Sequence, residues 1–267
     1  MKTQRTRRDR SHLAFTLVEL LVVIAIIGVL ASMLLPAIGS VQVKGQVTRA
    51  KTDISNIQGA ISAYQSKYGA MPMPKLARQY LADVSEVSPD FTFGTIEGGA
   101  WARNKQKEEI QIQTQALNMR SQLNNSEVMA ILINLATFPN GTPTMNPGSA
   151  RNPENIKFIN VKQVSAKVAG LGPDGVFRDP WNNPYIISLD ANGDDKVRDG
   201  FYSLDAVSGD PKASGLMGLN GLIRPKPGQN NFEKTGDIMV WSLGPDGQAD
   251  PTVSSKKKPN LDNILGE

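Results

Sequence analysis

The sequence of 267 residues lacks cysteine altogether and contains a single histidine, His12. Without cysteine the chain has no disulfide, no thiolate metal ligand and no cysteine nucleophile. His12 lies in a basic N-terminal stretch. If that stretch is removed, a serine–histidine triad and a histidine-ligated zinc site are both excluded. Catalysis by carboxylates and metal sites with oxygen ligands remain possible, but nothing in the sequence indicates that two carboxylates lie together in a cleft. We therefore expect no enzyme activity and assign no catalytic residue.

The positive charge of the chain is confined to one end. Residues 1–14 hold five basic side chains and one acidic side chain, and the remaining residues carry 24 of each sign, so that the net charge of +4 is local. A charge cluster of this kind does not form an extended basic face. We therefore expect no nucleic-acid partner.

A long apolar run follows the basic stretch. From Leu20 to Ile38 the chain has 19 residues without a charged side chain, roughly enough for a helix to span the ~30 Å hydrocarbon core of a bilayer. The basic residues before it would stay in the cytoplasm. A cleaved signal peptide is one interpretation, although its apolar region would be shorter, at ~7–15 residues. A plain signal anchor is another, but it gives no reason for the costly carboxylate of Glu19.

A third interpretation comes from residues 14–19, which read Ala-Phe-Thr-Leu-Val-Glu between the basic stretch and the apolar run. This segment resembles the cleavage and methylation motif of type IV pilins and type II secretion pseudopilins. The resemblance implies that a prepilin peptidase cuts between Ala14 and Phe15 and then methylates the new amine of Phe15. The family usually has glycine at the position of Ala14, so we expect slower cleavage here.

The resemblance also gives Glu19 a partner. In a filament its carboxylate would face the amine of Phe15 in a neighbouring subunit, where a buried ion pair sets register more than it adds stability. The alternative is that Glu19 only reaches to the membrane interface. Pro36, inside the apolar run, predicts a break or kink in the helix.

An amphipathic stretch continues beyond the apolar run. Apolar residues recur at steps of three and four from Val47 to Tyr68, a spacing that places them on one stripe of a helix. Gly69 and the prolines after it should end that helix. We therefore predict one helix from Phe15 to about Tyr68.

Residues 71–170 form an insertion that resembles no part of the family. Within it, 114–123 and 126–138 have helical character, with Asn125 or Ser126 as the N-cap of the second helix. The sequence Pro-Asn-Gly at 139–141 should end that helix, and 142–153 should be a loop because it is rich in Pro, Gly and Asn.

Two segments near the C-terminus resemble major pseudopilins again. Residues 179–185, Asp-Pro-Trp-Asn-Asn-Pro-Tyr, are similar to a turn of that family, and 185–189 should be a short strand. Residues 237–247 are similar to the family's final strand and the turn that follows it. Because the chain also lacks cysteine, this resemblance favours a pseudopilin over a type IV pilin, many of which close a C-terminal loop with a disulfide.

Calcium is the one cofactor that the sequence suggests. Oxygen ligands at alternate positions with a glycine at the turn are typical of calcium loops, and the segment from 190 to 200 offers Asp190, Asn192, Asp194 and Asp199. Phe201 stands where such a loop would end in glutamate, and a plain surface turn is the alternative. The resemblance implies a second calcium loop after the last strand, with the candidate ligands Ser242, Asp246 and Asp250.

These observations predict an α+β protein with a type IV pilin-like fold, in which a long N-terminal helix packs on a small antiparallel sheet. We divide it into a leader (1–14), the membrane and filament half of the helix (15–38), its amphipathic half (39–70), the insertion (71–170) and a β-rich part (171–267).

The resemblance implies a pseudopilin of the bacterial inner membrane with one membrane pass and its head outside the cytoplasm. The filament would lie in the periplasm or at the cell surface. Expected partners are prepilin peptidase, further copies or other pseudopilins, and the inner-membrane assembly machinery. A type IV pilus subunit, a filament-tip binding subunit that uses 71–170, and an anchored calcium-binding protein are the alternatives.

Overall fold

The computed structural model describes residues 16–75, 77–78, 90–94, 100–103, 109–111, 124–212, 216–226, 229 and 231–266. At residues 33–38, 40, 100–103 and 109–111 the structure describes the backbone but not the side chains. The leader, Ala14, Phe15 and the predicted helix at 114–123 lie outside these residues. The chain divides into two compact units, Met1–Gly45 and Gln46–Glu267.

Helix α1 extends from Leu17 to Tyr68 over 52 residues, which confirms the predicted long N-terminal helix. It ends at Gly69, whose φ of 64° is left-handed and whose N–H donates to the carbonyl of Gln65. Glycine adopts this conformation without steric cost. The helix continues through position 36, so α1 has no interruption there; a kink at Pro36 stays a prediction.

The predicted stripe of α1 is buried within the second unit. Ala50, Ile54, Ile57 and Ile61 are almost completely inaccessible to solvent, because a period of 3.6 residues brings them to one side of the helix. They belong to a first hydrophobic core, together with residues of the main sheet and of a second helix.

The second helix, α2, covers Ser126–Ile133 and is buried on all sides. It is five residues shorter than predicted, because Asn134 takes a left-handed conformation (φ 56°, ψ 57°) that ends the helix. The N–H of Asn134 donates to the carbonyl of Ile131, and the N–H of Leu135 donates to that of Ala130. Asparagine tolerates this conformation better than most residues. The prediction that residues 139–141 end the helix was therefore wrong.

The main sheet has four antiparallel strands in the order β1-β6-β9-β10. They are β1 (Phe91–Phe93), β6 (Ile186–Leu189), β9 (Ile238–Ser242) and β10 (Ile264–Leu265). The predicted strand at 185–189 is confirmed as β6, whereas the predicted final strand is β9, with β10 following it at the edge. β1 comes from the range assigned to the insertion, where no strand was predicted.

Both faces of this sheet are covered. Ile187, Leu189 and Val240 belong to the first core, whereas Ile186, Met239 and Trp241 belong to a second core with Phe201 and Tyr202. This division follows from the alternation of side chains along a strand.

Smaller elements complete the part of the chain that the structure describes. Three antiparallel pairs join β2 (Ala100–Arg103) to β3 (Glu109–Gln111), β4 (Gly170–Leu171) to β5 (Phe177–Arg178), and β7 (Lys196–Val197) to β8 (Lys234–Thr235). A short helix, α3, covers Asp205–Ser208, and single 3-10 turns lie at Pro147–Ser149, Leu219–Gly221 and Asn260–Asp262. The predicted loop at 142–153 thus contains one short turn of helix. The α+β class with an N-terminal helix and antiparallel sheets is confirmed.

Candidate functional site

The first helical turn of α1 holds Glu19 in a reciprocal hydrogen-bonded arrangement with Thr16. The backbone N–H and the hydroxyl of Thr16 both donate to Oε2 of Glu19, each at 2.8 Å, and the N–H of Glu19 donates back to Oγ1 of Thr16 at 3.2 Å. The carbonyl of Thr16 accepts the first helical bond, from Leu20. Threonine followed three residues later by glutamate is a capping box, which satisfies N–H groups that a helix start otherwise leaves unpaired. This capping role was not predicted, although the Thr-x-x-Glu spacing at residues 16–19 is its sequence signal.

The apolar side chains that follow Glu19 are exposed. Leu17, Leu20 and Ile24 are 79%, 62% and 60% accessible to solvent, and further large apolar residues up to Leu30 are similarly open. A surface of this kind marks a site of contact with lipid or protein. Within the described residues, we find no helix that combines the length and apolar character needed to cross a membrane.

The loop from Asp190 to Arg198 is organised by its own side chains. Asp190 accepts the N–H groups of Gly193 and Asp195, and Asn192 and Asp194 each accept an N–H two residues later. Asx turns of this kind stabilise tight loops without any ligand. Three of the four predicted calcium ligands thus lie in one loop.

The fourth predicted ligand, Asp199, lies in the second core instead. It is inaccessible to solvent. Its carboxylate accepts four hydrogen bonds, two from the N–H groups of Phe201 and Tyr202 and two from the side chains of Ser188 and Trp241. A carboxylate occupied in this way has a structural role, since its buried donors would lose their partners if it turned to a metal.

The structure brings a different set of carboxylates together. Asp190, Asp195 and Asp237 each place an oxygen within 4.8 Å of the others. They line a groove of about 590 Å³ between the C-terminal end of α1 and the 190–195 loop. Nε2 of Gln65 donates to Asp237 at 2.7 Å. Asp237 was not among the predicted ligands, because 47 positions separate it from Asp190.

Asp90, just before β1, fastens the same loop at both ends. Its two carboxylate oxygens accept the N–H groups of Ala191 and Arg198. Burial raises the pKa of Asp90 to about 7, and the nearby charges of Asp190 and Asp194 add to this, although the two N–H donors act in the opposite direction. No sequence signal marked this residue, since it lies a hundred positions from the loop it holds.

The three candidates of the second predicted calcium loop make separate hydrogen bonds. Ser242 is buried and donates to the carboxylate of Asp179 at 2.6 Å. Asp246 and Asp250 instead accept N–H groups of their own turns, from Gln248 and Thr252. Calcium binding in either loop stays a prediction.

The contact of Ser242 with Asp179 joins the two C-terminal segments that resemble major pseudopilins. Asp179 also accepts the N–H groups of Trp181 and Asn183, and the amide of Asn183 donates to the carbonyl of Gly244. Burial raises the pKa of Asp179, against the effect of these hydrogen bonds. The two segments are therefore one structural unit.

Comparison with known proteins finds one family motif and one similar fimbrial protein. Residues 9–35 match the prokaryotic N-terminal methylation motif. Over 71 residues, 27% of this chain, the sequence is 39% identical to the fimbrial protein EcpC of Eikenella corrodens, and the match covers 46% of that protein. No solved structure matches the chain. The methylation motif and the fimbrial similarity together support a type IV pilin-like prepilin.

Proposed function

We propose that this chain is a structural subunit of a type II secretion pseudopilus, with a type IV pilin-like fold. The observation that carries the proposal is the position of the methylation motif, residues 9–35, at the start of a 52-residue helix with an exposed apolar surface. Prepilin peptidase would cut between Ala14 and Phe15 and methylate Phe15. The role is structural, and no catalytic residue is part of it.

The exposed apolar surface of α1 supports a membrane-anchored precursor that later assembles. Apolar side chains open to water are unfavourable. Lipid of the inner membrane would cover them before assembly, with the head outside the cytoplasm, and the same segment of neighbouring copies would cover them in the filament. The inner-membrane assembly machinery would move the subunit from one state to the other.

Glu19 is the residue that we assign to register. In the filament its carboxylate would pair with the amine of Phe15 in a neighbouring copy. Such a pair contributes little net stability, but a subunit out of register would leave a charge without a partner among apolar side chains. Register is therefore the property that a substitution of Glu19 should change.

The choice of a secretion pseudopilus is supported by the C-terminal part of the chain. The two segments that resemble major pseudopilins, 179–185 and 237–247, are tied together through Asp179 and Ser242. The absence of cysteine fits the same choice. The similarity to a fimbrial protein favours the second candidate, a subunit of a type IV pilus.

The decisive experiment is the intact mass and the N-terminal residue of the protein from its native membrane, with and without the prepilin peptidase. The proposal expects N-methylated Phe15 with the peptidase and Met1 without it. A chain that keeps Met1 in both strains, or is cut after the apolar run, would refute prepilin processing. If processing at Phe15 is found, deletion of the gene for this chain separates the two filament types. Loss of secreted proteins would favour a pseudopilus, and loss of surface fibres would favour a pilus.

A binding role at a filament tip is the alternative for residues 71–170. Stoichiometry distinguishes it, since a main subunit repeats along the filament and a tip subunit is rare. Calcium binding is a further proposal. The three carboxylates Asp190, Asp195 and Asp237 form a better donor set for it than the ligands predicted from the sequence, because hard cations prefer convergent oxygen ligands.

A further inference from the structure

Charges of opposite sign lie at the two ends of the second unit, as measured along α1. The acidic end is the 190–195 loop, which lines the large groove together with Gly69, the residue at the C-terminal end of the helix. The basic end is formed by Arg49 and Lys162, which line a smaller cavity beside an earlier part of the same helix. At 1.5 Å per residue, the stretch of α1 from Arg49 to Gly69 is about 30 Å long. The two ends are therefore separate surfaces.

The charges of the acidic end are not compensated within the part of the chain that the structure describes. Asp194 and Asp195 are exposed, and neither forms an ion pair with any described lysine or arginine. Arg78 lines the same groove, but its guanidinium donates to the carbonyl of Met71 instead. Carboxylates gathered in this way repel one another, and a positively charged group brought from outside would relieve that repulsion.

The basic end is open in the same sense. Lys162 is exposed and forms no ion pair among the described residues. The side chain of Arg49 is 51% exposed, and its Nε lies 3.9 Å from the carboxylate of Asp53. That carboxylate also accepts the hydroxyl of Tyr185, so Asp53 is tied to the sheet and neutralises Arg49 only in part.

From this arrangement we propose that the heads of neighbouring copies of this chain meet head to tail, with the acidic loop of one copy against Arg49 and Lys162 of the next. A contact between two different surfaces produces an open filament when its rotation does not close into a ring. The charges also set direction, because two acidic ends or two basic ends would repel each other. The inference rests on the proposed filament function and deepens it by naming the surfaces through which heads touch.

The contact would select the neighbour more than it would hold the filament together. Exposed ion pairs contribute little stability and are screened by salt. Complementary charges instead speed association and disfavour wrong arrangements. The apolar surface of α1 therefore stays the main source of cohesion, and the charged ends choose among the ways in which that surface can be covered.

The test is an exchange of charges between the two ends, made in the full-length chain and expressed in the native host in place of the wild type. Lys162→Glu and Asp194→Lys each bring like charges together, so each should lower the fraction of mature subunit in sedimented filaments roughly fivefold. The double variant has opposite charges again, in exchanged positions, and should recover most of the wild-type fraction. Intact mass confirms that every variant is processed at Phe15.

Two further variants serve as controls. Lys257→Glu changes the net charge by the same amount at an exposed position of the C-terminal part, and it should assemble like the wild type. Asp194→Asn removes the charge but keeps the acceptor of the Lys196 N–H group, so its loss of assembly should be smaller than that of Asp194→Lys. Equal thermal midpoints of the purified variants show that folding is unchanged.

Normal filaments from both single reversals, or a double variant that assembles no better than the single ones, would overturn the inference and leave the proposed function intact. An equal loss in Lys257→Glu would overturn it as well, because net charge alone would then explain the effect. A wild-type chain that is neither processed nor found in filaments would instead refute the proposed function itself.

Discussion

The buried link between Asp179 and Ser242 should dominate the stability of the C-terminal part of the head. Asp179→Ala removes the acceptor of two N–H groups and of the Ser242 hydroxyl. Both side chains are inaccessible to solvent. A buried donor without a partner costs ~1–3 kcal/mol. Because Trp181 and Asn183 are only partly buried, water can satisfy part of their loss, and we expect a total cost of about 3 kcal/mol.

The partner substitution Ser242→Ala should cost about 1.5 kcal/mol, since it removes one hydrogen bond to a carboxylate that keeps its other donors and also removes the acceptor of the Gly244 N–H group. The double variant should then cost less than the sum of the two single variants, because each single variant already removes the hydrogen bond between Ser242 and Asp179. Urea unfolding of the full chain in detergent, followed by tryptophan fluorescence, to which the buried Trp241 contributes, measures each value.

Additive costs in the double variant would refute the reasoning, because they would mean that the two segments are stabilised independently. The exposed Lys257 provides the control. Its substitution by alanine should stay within about 0.5 kcal/mol of the wild type.

Three further predictions concern the acidic loop and the first core. The pKa of Asp90 is about 7, whereas its usual value is 3.8. Between these two pH values the folded chain keeps a proton on Asp90 that the unfolded chain has lost. The free energy of unfolding should therefore fall as the pH rises toward 7 and level off above it. Asp90→Asn should flatten this slope in urea unfolding at pH 5, 6, 7 and 8, and equal slopes would contradict the assignment. Calcium should raise the thermal midpoint of the wild type by stabilising the folded state. The effect should vanish in Asp195→Asn and persist in Asp194→Asn, whereas an equal effect in both variants would place the ion elsewhere. Ile57→Ala should cost ~2–5 kcal/mol through a core cavity, whereas the exposed Ser55→Ala should be nearly neutral in the same unfolding assay.

The helical part of the molecule was predictable because its signals are local. The burial of Ile54, Ile57 and Ile61 on one side of α1 follows from steps of three and four residues, and Gly69 ends the helix as expected. The end of α2 was misplaced because both Asn134 and the Pro-Asn-Gly sequence after it are stop signals. Packing and the left-handed conformation of Asn134 favoured the earlier of the two.

The candidate ligand set was only partly predictable. Spacing placed Asp190, Asn192 and Asp194 in one loop, where each of them accepts a backbone N–H group. Spacing alone does not reveal that the fourth candidate, Asp199, lies in the second core, nor that Asp237, just before β9, joins Asp190 and Asp195. Strand β1 escaped prediction because three residues are too short to show a period.

The sequence by itself determined the basic N-terminal stretch, the apolar run, the capping box spacing and the long helix, because each depends on residues within a few positions of one another. Only the tertiary structure decided that Asp179 and Ser242 meet, that Asp90 holds the acidic loop, and that Asp237 joins Asp190 and Asp195. Those contacts join residues tens of positions apart, and the pairing of β1, β6 and β9 brings such residues together. Sheet register is set by burial across the whole fold, which no local pattern encodes.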